Sequence, residues 1–265
     1  MRNLIPCVIF FGEGPSDVNG EDTVGGFEGL RPMVFDAVCR HAPRSLPEGW
    51  LRDYAEAVWT PTLLKKESAR IGRSELKRPK ERLLFHSIRK GTEKALCEIA
   101  NQVWLLGKAA LQRGADYAVF FHDCDRFALS DMVTAVRRGA AASGFGGVVV
   151  MTPCPTSEAW ILAGLRNLRG KPAERITPEQ AVKFEVQLQG NDRNERCAKA
   201  HLAQWVTKNP DAMALNPTQY RMCVETLDLE GGWAGAECLP SMQAFVRSIV
   251  EASKRLNVNS AASYN

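Results

Sequence analysis

The sequence predicts an α/β fold, a mostly parallel sheet flanked by helices, followed by an α-helical C-terminal region. Three observations carry this. Short apolar runs rich in β-branched and aromatic residues recur at 7–11, 117–121 and 148–151, each bounded by Gly, Pro or Asp. The segments between them have helical rather than alternating spacing, and strands alternating with helices argue for a parallel sheet with helices on its faces. From Gly170 onward no strand-like run appears, only helical segments joined by Pro, Gly and Asn. The division expected is a first unit over residues 1–168 with a basic insertion at about 62–94, a helical region over 169–256 and a tail over 257–265.

Composition sets outer bounds. The chain has 265 residues, of which 45% are hydrophobic and 24% charged, which is ordinary for a globular protein and enough for a sizeable core. A net charge of +4 is compatible with a polyanionic partner without requiring one. The eight cysteines include no C-x-x-C pair, so a zinc ribbon or thioredoxin-type motif is not indicated. Reduced thiols in a cytoplasmic protein are the expectation. Arg2 followed by Leu4–Phe11 imitates a short signal peptide, but the run contains Pro6 and meets Glu13 without an A-x-A-like site. It is read as the first strand. No run approaches the roughly 18 apolar residues of a membrane span.

In chain order, the strand ending at Phe11 leads into Gly12-Glu13-Gly14-Pro15-Ser16-Asp17, a tight turn that delivers one carboxylate at the strand tip. Ser16–Gly29 is a polar, glycine-rich loop. Leu30–His41 has helical spacing, with Val34, Ala37 and Val38 on one side and Pro32 suited to the first turn. Tyr54–Trp59 is a candidate second strand. Lys65–Lys94 holds eleven Lys and Arg against four Glu. Its Lys65, Lys66, Arg70, Arg73, Lys77, Arg78, Lys80 and Arg82 suit a nucleic-acid phosphate surface or, equally, a solvated helical face or a mobile insertion.

Thr92–Ala110 reads as a helix through Ala95, Ile99, Val103 and Leu106, with Gly107 and Gly114 loosening its end. Tyr117–Phe121 is a buried strand ending in His122-Asp123-Cys124-Asp125. Ser130–Ala142 is a helix with Ser130 as a candidate N-cap and Asp131 in its first turn. Val148–Met151 is a third buried strand, leading through Thr152-Pro153-Cys154-Pro155-Thr156 into a helical segment from Ser157. Pro178–Leu188, Arg193–Thr207, Thr218–Leu227 and Ser241–Leu256 are the C-terminal helices, packed on the sheet or forming a subdomain.

Two strand tips carrying acids form a constellation, because ligands in open α/β sheets bind at the carboxyl ends of strands. If the strand continues through Asp123 and Asp125, alternation puts both on one face with Cα atoms roughly 6.5 Å apart. With Glu13 from another strand, such a set suits Mg²⁺ or Mn²⁺. A metal of this kind activates water and stabilises charge on phosphate. Glu158 and Asp17 are further candidates. Glu158 could equally complement a helix dipole, and Asp17 could cap a turn. His122 is a proton carrier or a hydrogen-bonded structural residue.

These residues resemble a family. A strand followed by Glu13-Gly14, with a later strand ending Asp123-x-Asp125, is similar to the signature of the TOPRIM domain of topoisomerases, primases and nucleases. Glu13-Gly14-Pro15-Ser16-Asp17 looks most like the form in the OLD-type and RloB-like branches. Glu158-Ala159-Trp160 resembles the E-x-W motif of small TOPRIM-like proteins of bacterial defence loci. The resemblance covers roughly residues 5–165. It implies a Mg²⁺-dependent endonuclease acting on DNA or RNA, tRNA included. Asp123 and Asp125 would hold metal, Glu13 would bind metal or act as acid/base, and Asp17 and Glu158 would complete a second metal site. It also implies a role in antiviral defence beside an ABC/SMC-like ATPase; a homodimer is open. The polar insertion after Asp17 and the flanking His122 and Cys124 depart from the family pattern.

Two other readings compete. One is a degenerate TOPRIM-like subunit that docks on and regulates the ATPase, in which the acids point apart or pair with arginines such as Arg126. The other is a phosphatase or phosphotransferase of a different doubly wound fold, although a haloacid-dehalogenase-type D-x-D normally follows the first strand. No GxxxxGK[ST], G-x-G-x-x-G or G-x-S-x-G motif is present, which counts against the ATPase itself, a dinucleotide fold and a serine hydrolase.

Overall fold

The computed structural model describes residues 8–11, 30, 33–34, 37–38, 40, 68–70, 85, 91–188, 197–209 and 220–262. Four strands, β1 (Val8–Phe11), β2 (Ser68–Arg70), β3 (Tyr117–Phe121) and β4 (Val148–Met151), form one parallel sheet in the order β2-β1-β3-β4. Helix α1 (Thr92–Arg113) connects β2 to β3, α2 (Leu129–Ser143) connects β3 to β4, and α3 (Ser157–Arg169) follows β4. The C-terminal region holds α4 (Pro178–Gln187), α5 (Ala198–Lys208), α6 (Tyr220–Glu230) and α7 (Pro240–Ala262), with 3₁₀ turns at Pro172–Glu174 and Gly232–Ala236.

Strands β1, β3 and β4 read as unbroken apolar runs because both sheet faces are covered there. One face, Ile9, Phe11, Ala118, Phe120, Val148 and Val150, packs on Ile99, Val103 and Leu106 of α1 and Met132 and Val136 of α2. The other, Val8, Phe10, Val119, Phe121, Val149 and Met151, packs on Trp160 of α3, Leu227 of α6 and Phe245 and Ile249 of α7. Leu30, Met33, Val34, Ala37 and Val38 join this second core, and the last four lie in helical backbone as their spacing predicts. The C-terminal helices therefore form the third layer of one α/β/α arrangement rather than a separate subdomain.

Several expectations are corrected in detail. The helix predicted to loosen at Gly107 runs on to Arg113, and Gly114 ends it in the left-handed conformation. Gly107 sits inside α1, where a Cβ would collide with Ser143 at the end of α2. The N-cap of α2 is Ala128 rather than Ser130; Ser130 is already helical and its carbonyl accepts from Thr134 Oγ1 at 2.7 Å. Within the basic stretch, Ser68–Arg70 is a strand beside β1, a departure from a purely helical or mobile insertion. The candidate strand Tyr54–Trp59 lies outside the described residues. Helix α7 extends through Ala262, past the end expected at Leu256 and into the predicted tail.

Among the described strands β4 lies at the sheet edge, where an unpaired N–H row would be costly if buried. Helix α7 covers it. Ser248 Oγ accepts the Val150 N–H at 2.9 Å, and Ser253 Oγ shares a 2.7 Å hydrogen bond with Tyr117 OH of β3.

Candidate functional site

The register Phe11↔Phe120 and Phe121↔Met151 brings the C-terminal ends of β1, β3 and β4 to the same edge of the sheet. Everything singled out between residues 12 and 17, 122 and 125, and 152 and 158 follows one of these three ends in the chain. Glu13 and Asp17 lie outside the described residues, as do Lys65, Lys66, Arg73, Lys77, Arg78, Lys80 and Arg82. Arg70 is in β2, its backbone in register with Phe10.

Beyond Phe121 the pairing with the β4 segment continues, but on one side only. The N–H of His122 donates to the Met151 carbonyl at 3.1 Å, and that of Cys124 donates to the Pro153 carbonyl at 2.9 Å. The return bonds of a parallel ladder would come from the N–H groups of residues 153 and 155, and both are prolines. The strand therefore ends where its partner runs out of donors. Asp125 then turns out of the extended conformation with φ +49°, its N–H donating to the Pro155 carbonyl at 2.8 Å. This corrects the expectation that Asp123 and Asp125 alternate along one continuing strand. Asp123 is half-buried, whereas Asp125 is exposed on a left-handed turn.

Asp123 has a structural partner. Its Oδ1 accepts the Ser157 N–H at 3.0 Å, at the first turn of α3. Thr156, the formal N-cap of α3, makes no side-chain cap bond, so the carboxylate from β3 supplies one. This draws the positive end of α3 onto Asp123; Glu158, half-buried in the same first turn, follows Ser157 in sequence. Thr152 Oγ1, buried after β4, has no hydrogen-bond partner among the described residues.

The ring of His122 lies over Phe120, with centroids 6.1 Å apart, and its Nδ1 is 2.6 Å from the Asp123 carbonyl oxygen. A carbonyl only accepts, so Nδ1 is the donor in this bond. Arg126 extends over the ring of Phe127, with its guanidinium 5.6 Å from the centroid.

The thiols of Cys124 and Cys154 interact. The bond from Cys124 N–H to the Pro153 carbonyl puts residue 124 opposite residue 154, and both side chains belong to the α1/α2 face of the sheet. The Cys124 thiol donates to the Thr152 carbonyl at 3.6 Å, and the neighbouring Cys154 thiol together with burial pushes it far up. Cys154 is lowered by the Cys124 thiol.

One carboxylate escaped sequence reasoning. Glu185 of α4 is only 5% exposed and accepts hydrogen bonds from Ser241 N–H at 3.2 Å and from Ser241 Oγ. Ser241 Oγ in turn accepts from Trp160 Nε1 at 2.6 Å. Burial pushes the Glu185 carboxyl up to about 7, against the restraining bonds from Ser241. The available signal was its spacing: Ala181, Glu185 and Leu188 fall on one buried helical face.

Among the described residues no three Asp, Glu, His or Cys side chains gather as a ready-made metal cluster. No helix among them is long and apolar enough to cross a membrane. The chain matches no protein-family model, no curated protein and no solved structure.

Proposed function

We propose that the chain is a metal-dependent nuclease that hydrolyses phosphodiester bonds of DNA or RNA, with its site at the C-terminal ends of β1, β3 and β4. The observation that carries this reading is the parallel pairing of β1 with β3, Phe11 opposite Phe120. It makes the segment with Glu13 and the segment with Asp123 and Asp125 leave neighbouring strands at one edge, as the TOPRIM-like reading requires.

The donor chemistry fits Mg²⁺ or Mn²⁺. Asp123 and Asp125 are carboxylates and so of the hard-oxygen class these ions take. Glu158 stands next to Ser157, and Glu13 and Asp17 would complete the set. When bound, the ion would lower the pKa of a water and neutralise charge on a phosphate. The chain's own residues have distinct tasks. Asp123 ties the loop after β3 to the N-terminus of α3, whose dipole favours an anionic phosphate nearby. His122 would serve as a proton carrier whose ring is oriented by its Nδ1 bond to the Asp123 carbonyl. The basic residues between Lys65 and Arg82 would hold the substrate backbone, giving affinity without sequence preference.

A second reading has an observation of its own. Asp123 already serves as a helix cap, and Asp125 sits exposed on a left-handed turn, as a degenerate subunit would allow. By the TOPRIM-like resemblance, either version would work beside an ABC/SMC-like ATPase in antiviral defence.

The deciding experiment is cleavage of plasmid DNA and bulk tRNA by purified protein in Mg²⁺, Mn²⁺ or EDTA, with and without a neighbouring ATPase. Metal-dependent cutting that is lost in both Glu13→Ala and Asp123→Asn is the expected result. No cutting in any combination would favour the regulatory subunit.

A further inference from the structure

We infer that Cys124 and Cys154 form a reversible redox pair, closing to a disulfide across the tips of β3 and β4 when the protein meets a peroxide. Three observations converge on it. The Cys124 N–H bond to the Pro153 carbonyl at 2.9 Å sets the two residues opposite each other in parallel register. Neighbouring strands lie about 4.8 Å apart, which falls inside the roughly 4.4–6.8 Å Cα window for a disulfide. Both side chains leave the same face, since Cys124 is in the α1/α2 core and Cys154 packs against that core. Both are free thiols, Cys124 buried and Cys154 half-exposed to solvent.

The exposure assigns the order of events. A peroxide reaches Cys154 first. Its thiolate attacks one peroxide oxygen, the O–O bond breaks, and the products are a sulfenic acid on Cys154 and hydroxide. The sulfur of Cys124, losing its proton, then attacks the sulfenic sulfur. An S–S bond forms, and the sulfenic oxygen leaves as water. Two thiols are oxidised by two electrons and one peroxide is reduced. A dithiol reverses the step by exchange. Cys97, Cys197 and Cys223 are also free but buried on other elements, which makes them internal controls.

The consequence falls on the candidate site. Cys124 stands between Asp123 and Asp125, so a bridge would fasten that loop to the segment after β4. The thiol chemistry stands alone; only its effect on cleavage rests on the nuclease reading. The test treats native full-length protein with a small excess of hydrogen peroxide, quenches with an alkylating agent and maps peptides by mass spectrometry. The expected result is a 124–154 linked peptide in most molecules, lost on dithiothreitol treatment and absent in Cys154→Ser. Cys124 and Cys154 both recovered fully alkylated, or linked only to other cysteines, would overturn the inference. Cleavage is read on the same samples. A bridge without any cleavage in either redox state, with or without the neighbouring ATPase, leaves the thiol pair standing and removes the nuclease reading.

Discussion

Asp123 and Glu185 show how one side chain can be assigned two duties and how the duties separate. Asp123 accepts the Ser157 N–H, a cap bond of about 1 kcal/mol when removed. Asp123→Asn keeps an oxygen for that bond, whereas Asp123→Ala does not. Asp123→Asn is expected to match the wild type in urea midpoint within error and to lose cleavage, while Asp123→Ala also loses about 1 kcal/mol of stability. Equal loss of stability in both would mean that the charge itself holds the loop. Glu185 has a folded pKa raised to about 7 from 4.5. Between those values the folded chain retains a proton that the unfolded chain has released. Stability from this group is therefore full below the lower value, falls as pH rises and levels off above the higher one, by about 3 kcal/mol in all. Glu185→Gln keeps an acceptor for Ser241 and should flatten this slope. Urea unfolding at pH 5 and pH 8 checks it, and parallel slopes for variant and wild type would sink the assignment.

At the scale of elements, close approach of helices decides more than propensity does. Gly139 lies where α2 crosses α1. A Cβ there would run into the Ala100 carbonyl oxygen and come within 2.8 Å of Val103 Cβ. Gly139→Ala improves helix propensity, yet overpacking should cost about 1–3 kcal/mol, read as a lowered denaturation midpoint. The sequence pattern located α1, α2 and all three long strands, because apolar spacing is local. It missed what depends on a neighbour. The end of β3 is set by Pro153 and Pro155 on another segment, and the D-x-D spacing alone could not reveal it. In α4, Val182 and Val186 are exposed while Glu185 is buried, the reverse of their polarity, so composition hid the carboxylate that matters there.

For the whole molecule, the C-terminal helices complete the core that the sheet begins. Phe245 and Ile249 of α7 cover the face formed by Val119, Phe121 and Met151, and Ser248 satisfies the edge of β4. A chain cut at residue 168 should therefore fail to fold as a monomer and should bind apolar dyes such as ANS; a cooperative unfolding transition for it would contradict the single shared core. Ser248→Ala in the full chain leaves the buried Val150 N–H without its acceptor, and a loss of about 1–3 kcal/mol is expected in urea.

What the sequence alone determined is the alternation of strand and helix, the parallel sheet and the acids after two strands, because periodicity and turn residues are written within each segment. Three matters were decided only by tertiary structure. They are the C-terminal helices as a layer on the sheet, the opposition of Cys124 and Cys154, and the buried Glu185. Each depends on which distant segments meet, and burial, register and the supply of hydrogen-bond donors exist only after they have met.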